Sequence, residues 1–430
     1  MSVEELKLLN INLSSFELPI NLSLDLNTNT LSFYKHLKCG LNLQSKALKA
    51  KDLNSLTRKL KLLLPECFKH CYNALTSRQA VFINALNPIP LFGTRYFGII
   101  DRGTNILELR PNTGCNLSCV FCSVGEGFNV KKTDFIVEAY YLKKWVDYAL
   151  SFKKQSVELF INPQGEPLLY QELELLVKLL KQNKKVGKVS IVTNGLLLPF
   201  NFKRLIKAGV SSFHVSFPGF TNVKPLVGLN YDSNAVANAL KQIVLQEKPL
   251  ELWLTPVWVK GLNDLQVKEV VKLGLELKRL INENNAKAKV FIAIQNYLQY
   301  RAGRKVKGFK QLPWKLFYKN LEQLESEFKE FKLNLTLTPS DVGIKPDNFV
   351  EKPLRTGQVV KAKIVCNGRN KNEFIAVTPA NSAEPFQSID FKARSIVVSS
   401  NKQSLGKLIG KTVLVKITHS KHNLFHAVLA

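Results

Sequence analysis

The sequence predicts an α/β protein, a parallel sheet of strand–helix units with an N-terminal extension and a small all-β module at its C-terminal end. Three observations predict it. From about residue 104 to 295, short apolar runs alternate with amphipathic stretches of helix length. After about Gly357 the pattern changes to short alternating runs parted by polar and glycine-containing turns. Between them in weight stands a loop of three cysteines, Cys115, Cys119 and Cys122, directly after the first predicted strand. In α/β architectures chemistry collects at such strand ends.

Taken in order, residues 1–35 read as strands or loops and Ala47–Phe68 as a basic amphipathic helix, with no recognisable chemistry. Strands are predicted at Asn105–Leu109, Val157–Ile161, Val189–Thr193, Ser212–Phe217, Glu251–Val259 and Val290–Ile294. Helices are predicted at Phe135–Leu150, Tyr170–Lys181, Asn201–Ala208, Ala235–Gln246 and Leu265–Ile281, each with apolar residues at i, i+3, i+4 and i+7. Such alternation implies parallel strands with helical crossovers. Beyond it, Val359–Val365, Phe374–Val377, Ser395–Val398, Thr412–Ile417 and Phe425–Leu429 suit a small antiparallel β-barrel. The expected divisions are an extension at 1–95, the strand–helix region at 96–310, a helical linker at 311–356 and the barrel at 357–430.

The cysteines lie in Arg110-Pro-Asn-Thr-Gly-Cys-Asn-Leu-Ser-Cys-Val-Phe-Cys-Ser, spaced C-x3-C-x2-C. A cubane [4Fe–4S] cluster takes four thiolates, so a loop offering three leaves one iron open to a substrate. A structural zinc would want a fourth ligand close by, and no His or Cys lies between Cys122 and His214. The motif, with Phe121 before the third cysteine, resembles the cluster-binding signature of radical S-adenosylmethionine (SAM) enzymes. That resemblance implies a partial (β/α)6 barrel and a cluster whose open iron chelates SAM. It also implies reductive cleavage of SAM to a 5′-deoxyadenosyl radical that abstracts hydrogen from a substrate.

Later strand ends carry further likenesses. Gly165-Glu166-Pro167 resembles the family's Gly-Gly-Glu-Pro motif, with Gln164 in place of the first glycine. Thr193-Asn194-Gly195 ends the third strand and Ser216 the fourth. Pro256 to Asp264 resembles the adenine-side Gly-x-Ile-x-Gly-x-x-Glu element, with Val257, Val259 and Asp264 replacing Gly, Ile and Glu. The resemblance therefore implies metal ligands Cys115, Cys119 and Cys122, and SAM contacts from Phe121, Gly165, Glu166, Thr193, Asn194, Ser216, Val259 and Asp264. Gly165 would admit close backbone approach, and the Glu166 carboxylate would receive the SAM ammonium.

Of 430 residues, 61 are Lys or Arg and 33 Asp or Glu, a net charge of +28 that favours polyanions. A lysine-rich composition from codon bias is the plain alternative. No apolar run nears the ~18–20 residues that span a bilayer, so no membrane partner is expected. The N-terminus lacks a signal-like start, and seven cysteines without a disulfide framework suit a reducing cytoplasm. Cys39, Cys67 and Cys71 read as buried thiols rather than a second metal site, and Cys366 lies in an alternating strand.

Residues 357–430 hold eleven Lys or Arg against Glu373, Glu384 and Asp390, and the run from Gly410 resembles the end of TRAM domains, OB-like RNA-binding barrels. Phe374, Phe386, Phe391 and Phe425 are candidates for base stacking. After the sixth strand, Tyr297, Tyr300, Arg301 and Arg304 form a candidate substrate element.

The expectation is radical SAM modification of an RNA base, in tRNA or rRNA, by methylation or other C–H functionalisation. Ferredoxin or flavodoxin would donate electrons, and the barrel would deliver the RNA. The arrangement resembles archaeal Fe–S oxidoreductases of the superfamily. It departs from the TRAM-bearing methylthiotransferases, whose N-terminal cluster domain with its own three cysteines it lacks. The alternatives are a radical SAM enzyme acting on a peptide or small metabolite, and a non-enzymatic zinc-containing RNA-binding protein. Removing 357–430 is expected to cost RNA affinity and to spare SAM binding, because every cluster and SAM candidate lies between 115 and 264.

Overall fold

The computed structural model describes residues 10–12, 21–25, 30–33, 36–40, 62–127, 130–384, 388–399 and 408–430. Six parallel strands lie side by side in chain order: β1 Ile106–Arg110, β2 Val157–Ile161, β3 Val186–Thr193, β4 Ser212–Val215, β5 Glu251–Leu254 and β6 Lys289–Ile292. Gly98–Asp101 adds an antiparallel strand beside β1. Helices α1 Ala139–Phe152, α2 Leu173–Leu180, α3 Leu198–Ala208, α4 Ser233–Val244 and α5 Asp264–Glu283 supply the crossovers. The parallel order is the one that the alternation implied, and it is the partial (β/α)6 barrel that the resemblance implied.

The period of two sorts each strand's side chains between two faces. In β2, Val157, Leu159 and Ile161 are buried with the apolar residues of the helices. Glu158 and Phe160 turn the other way, onto a cavity of about 290 Å³ shared with His214, Trp253 and Thr255. Across β4, β5 and β6 the rings of His214, Trp253 and Phe291 stack in a row, with centroids 5.3 and 4.1 Å apart.

Two predicted elements change. Glu251–Val259 breaks into β5 and a short strand Val257–Trp258, because Pro256 has no N–H to give a ladder. The start of the predicted helix Phe135–Leu150 is instead a strand, Asp134–Val137, and α1 begins only after its cap Glu138. That strand runs parallel to Arg78–Ile83 and completes a second seven-stranded sheet, whose other strands come from the N-terminal region. Of the predicted helix Ala47–Phe68, residues 47–61 lie outside the described residues, and 62–69 are helical.

After α6, Trp314–Glu327, the chain closes a five-stranded barrel: β7 Val359–Asn367, β8 Glu373–Thr378, β9 Arg394–Ser399, β10 Thr412–His419 and β11 His426–Leu429. One pair, β9 with β11, is parallel rather than antiparallel. The small barrel fills its own core with residues such as Ile364, Ile396, Val415 and Phe425. Phe374 and Phe425 are therefore spent on packing, and Phe391 stacks on Tyr148 of α1 at 4.9 Å. Phe374 and Phe425 offer no free face to RNA, Phe391 is half-buried, and Phe386 lies outside the described residues. No helix among the described residues is long and apolar enough to cross a membrane.

The cap of α1 carries a pH signature. Glu138 is 2% exposed and accepts hydrogen bonds from Tyr140 N and Tyr141 N. Burial, then the charge of Glu172, pushes its pKa up to about 8. An unfolded chain releases this proton near pH 4.3, so between that value and pH 8 the native state binds more protons than the unfolded state. Stability should fall as pH rises through this window and level off above it. Glu138→Gln should flatten the fall, as read from urea midpoints at pH 5, 6.5 and 8.

Candidate active site

The cysteine loop spans the two large sheets, leaving β1 at Arg110 and entering the other sheet at Asp134. On the way, Thr113 and Gly114 pair with Gln164 and Gly165, just beyond β2. A Cβ on Gly165 would stand 1.9 Å from the Gly114 carbonyl oxygen. The loop's own backbone approaches Gly165 so closely that only glycine fits there.

Past Gly114 the three cysteines are half-buried free thiols. Cys119 O accepts from Cys122 N at 3.2 Å, and Cys122 Sγ accepts from Glu126 N at 3.3 Å. Ser118 N and Val120 N donate to Val227 O and Leu226 O at 2.8 and 2.9 Å. Arg304 holds the same turn, its backbone N donating to Cys122 O and its Nη1 to Cys119 O at 2.9 and 2.8 Å.

Burial, then the charge of Glu166 and the other thiols, pushes Cys115 up. Burial and Cys122 push Cys119 up to about 12. Such thiols keep their protons in the metal-free chain and release them on binding metal. In a cubane each thiolate takes a different iron, so the three need not converge on one point. Among the described residues no three His, Cys, Asp or Glu side chains are gathered to hold a metal ion. Three thiols on one loop thus fit a [4Fe–4S] cluster, which when bound supplies the electron that cleaves SAM.

The SAM candidates gather around this loop, and several serve to hold it. Glu166, 1% exposed, accepts from Thr193 Oγ1 at 2.6 Å, Leu168 N at 3.0 Å and Asn194 N at 2.9 Å. Its backbone N donates to Gly114 O at 2.8 Å, and its carbonyl accepts from Asn112 Nδ2 at 3.0 Å. Burial pushes its pKa up to about 7 despite three donors. The carboxylate expected to receive an ammonium is committed inside the protein, tying β2 and β3 to the loop. Asn194 Nδ2 reaches Asn116 Oδ1 at 2.8 Å and Cys115 Sγ at 3.8 Å, and Tyr231 OH donates to its carbonyl at 2.6 Å.

Ser216 lies 3.4 Å from Thr255 Oγ1 and lines a cleft with Phe121, Phe217, Leu226, Val257 and Asn263. Phe121 and Ser216 are thus brought together; Val259 and Asp264 are not part of the lining. Val259 is 1% exposed. Asp264 accepts from Trp258 Nε1 at 2.6 Å and Gly261 N at 3.0 Å, fixing the turn before α5. Of this element, Val257, read as a mere replacement, faces the cleft together with Pro256 and Asn263.

The substrate candidates disperse. Tyr297 is 1% exposed, and its hydroxyl accepts from Val306 N at 2.8 Å, so it presents no stacking face. Arg304 is spent on the cysteine loop, whereas Tyr300 and Arg301 are exposed.

No motif pointed to the ion network that brackets the loop. Arg369, on the turn between β7 and β8, is 1% exposed. It pairs with Glu126 and, at 2.9 Å, with Asp134, and donates to Thr113 Oγ1 at 3.1 Å and to Thr133 O. Arg78 reaches the same two carboxylates at 3.0 and 3.3 Å. Against the upward push of burial, Arg369, Arg78 and Thr76 hold the Asp134 carboxyl below its usual range. Thr113 precedes Cys115 by two residues and Glu126 follows Cys122 by four, so the barrel's arginine grips both ends of the cysteine turn.

Comparison with known proteins agrees with this geometry. The radical SAM superfamily profile matches residues 109–274. An uncharacterized protein of Methanocaldococcus jannaschii is 31% identical over 371 residues, 83% of this chain and 82% of that one. GTP 3′,8-cyclase of Clostridium acetobutylicum is 28% identical over 193 residues; the match spans 42% of this chain and only 56% of that enzyme. Among solved structures, a mutant spore photoproduct lyase covers 68% of this chain and 86% of its own, at 12% identity and a TM-score of 0.42. Streptococcus suis SuiB bound to SAM covers 54% of this chain and 47% of its own, at 18% identity and a TM-score of 0.36. The chain belongs to the radical SAM superfamily and is an enzyme whose cofactors are a [4Fe–4S] cluster and SAM.

Proposed function

We propose that this enzyme modifies a base of RNA, in tRNA or rRNA, with the TRAM-like C-terminal barrel presenting the strand. One observation carries the reading. Between the β7–β8 turn and the loop's return to the N-terminal sheet runs a groove of about 820 Å³, whose charged lining is Arg78, Lys131, Lys132, Arg369, Lys371 and Glu373. Of the cations, Arg78, Lys132 and Arg369 are already paired with Glu126. Lys131 and Lys371 are exposed on its rim. A basic groove beside the cysteine loop, on a chain of net charge +28, suits a phosphate backbone tracked toward the site. Cys115, Cys119 and Cys122 are the proposed cluster ligands, with Phe121, Ser216 and Val257 facing SAM and Glu166 and Asn194 positioning the loop.

A free nucleotide is the second reading, favoured by the similarity to an enzyme that acts on GTP. The cavity inside the sheet, about 290 Å³, is of small-molecule size. Salt separates the two. For RNA, affinity should fall steeply, each neutralised phosphate adding about 0.7–0.9 to the log–log slope. Lys131→Glu with Lys371→Glu should flatten that slope and leave SAM binding intact. RNA affinity indifferent to salt and to both substitutions, with tight binding of a nucleotide, would favour the second reading.

A further inference from the structure

A second groove, of about 460 Å³, opens beside the cysteine loop. Its floor is apolar, formed by Val120, Leu226, Leu262 and Phe309, and its rim carries Lys305 and Lys307. Both lysines are exposed, and among the described residues no acidic side chain lines the groove. Val120 lies between Cys119 and Cys122, its N–H bonded to Leu226 O at 2.9 Å. The segment bearing the lysines is bonded to the same turn, through Arg304 N to Cys122 O at 2.9 Å. One residue of the floor, Val120, therefore belongs to the turn that carries two of the thiols, and Leu226 and Arg304 bond to that turn.

We propose that this groove is the docking site of a small acidic electron carrier of the ferredoxin or flavodoxin type. The proposal rests on the superfamily's chemistry and not on the RNA reading. SAM cleavage consumes one electron, which the carrier gives up and leaves one electron more oxidised; no bond forms between the two proteins. A carrier seated here touches Val120, which lies between Cys119 and Cys122 in sequence. An apolar centre with a charged rim is the anatomy of a protein interface, and two lysines without acidic neighbours complement an acidic partner. The groove proposed for RNA lies elsewhere, at the β7–β8 turn, with Lys131 and Lys371 exposed on its rim and Glu373 also in its lining.

The test uses the full chain with Lys305→Glu and Lys307→Glu together, and the milder Lys305→Gln with Lys307→Gln in case the reversal disturbs folding. The metal-free chain should bind an acidic flavodoxin or ferredoxin with salt-sensitive affinity, weakened at least about tenfold by charge reversal. In the loaded enzyme, carrier-driven SAM cleavage should fall in step, whereas dithionite-driven cleavage and RNA affinity stay unchanged. Neither carrier binding the unaltered chain would overturn the proposal. So would equal losses with carrier and dithionite, or a loss of RNA affinity with carrier-driven cleavage intact, which would assign the groove to RNA.

Discussion

Arg369→Met should destabilise the protein by about 3–5 kcal/mol and strip iron from the cysteine loop, though Arg369 lies some 250 residues beyond it. The substitution keeps a long apolar stem but leaves Glu126 and Asp134, 1% and 0% exposed, to share Arg78, with Lys132 3.5 Å from Glu126. Removing one partner of a buried pair costs more than the pair contributes, because the remaining charge stays desolvated. Glu126 also supplies the N–H at Cys122 Sγ, so its displacement reaches the thiol directly. Arg369→Lys, retaining the charge but not the fork, should keep part of both properties. Denaturation midpoints and iron per chain after anaerobic reconstitution check this. Arg369→Met with unaltered stability and a full complement of iron would show that the network is incidental. The same argument corrects the expectation for removal of residues 357–430. That truncation takes Arg369 with it, so it should damage the SAM site as well as RNA binding.

Cys115→Ala, Cys119→Ala and Cys122→Ala should each abolish the cluster and SAM cleavage, because each thiolate holds a different iron. Cys39, Cys67, Cys71 and Cys366 should accept Ala with the cluster intact. All four are buried in the apolar core, and Cys71 Sγ already donates to Cys67 O at 3.0 Å. Iron content and the visible absorbance of reconstituted protein read the outcome. Loss of the cluster on replacing any of these four would mean a fourth cysteine ligand and no open iron for SAM.

The six parallel strands were legible because each is a short apolar run whose period is set by local sterics, and the cysteines because their spacing is local too. Boundaries slipped where one residue overrode the pattern, as Pro256 did in the fifth strand and Glu138 before α1. The partners of Glu166 and Arg304 were hidden for another reason. Which atoms they reach, Thr193 and Asn194 for the one and Cys119 and Cys122 for the other, depends on segments far away in sequence. Arg369 was wholly illegible. A single arginine on a turn carries no periodicity or motif, and its partners become its partners only after the small barrel docks.

Comparative mass spectrometry of nucleosides, from RNA of cells with and without the gene, tests the central claim most directly. RNA-base modification predicts that one modified nucleoside of tRNA or rRNA disappears with the gene. It should return with the native chain and not with Cys119→Ala. Identical nucleoside profiles across all tRNA and rRNA would contradict it.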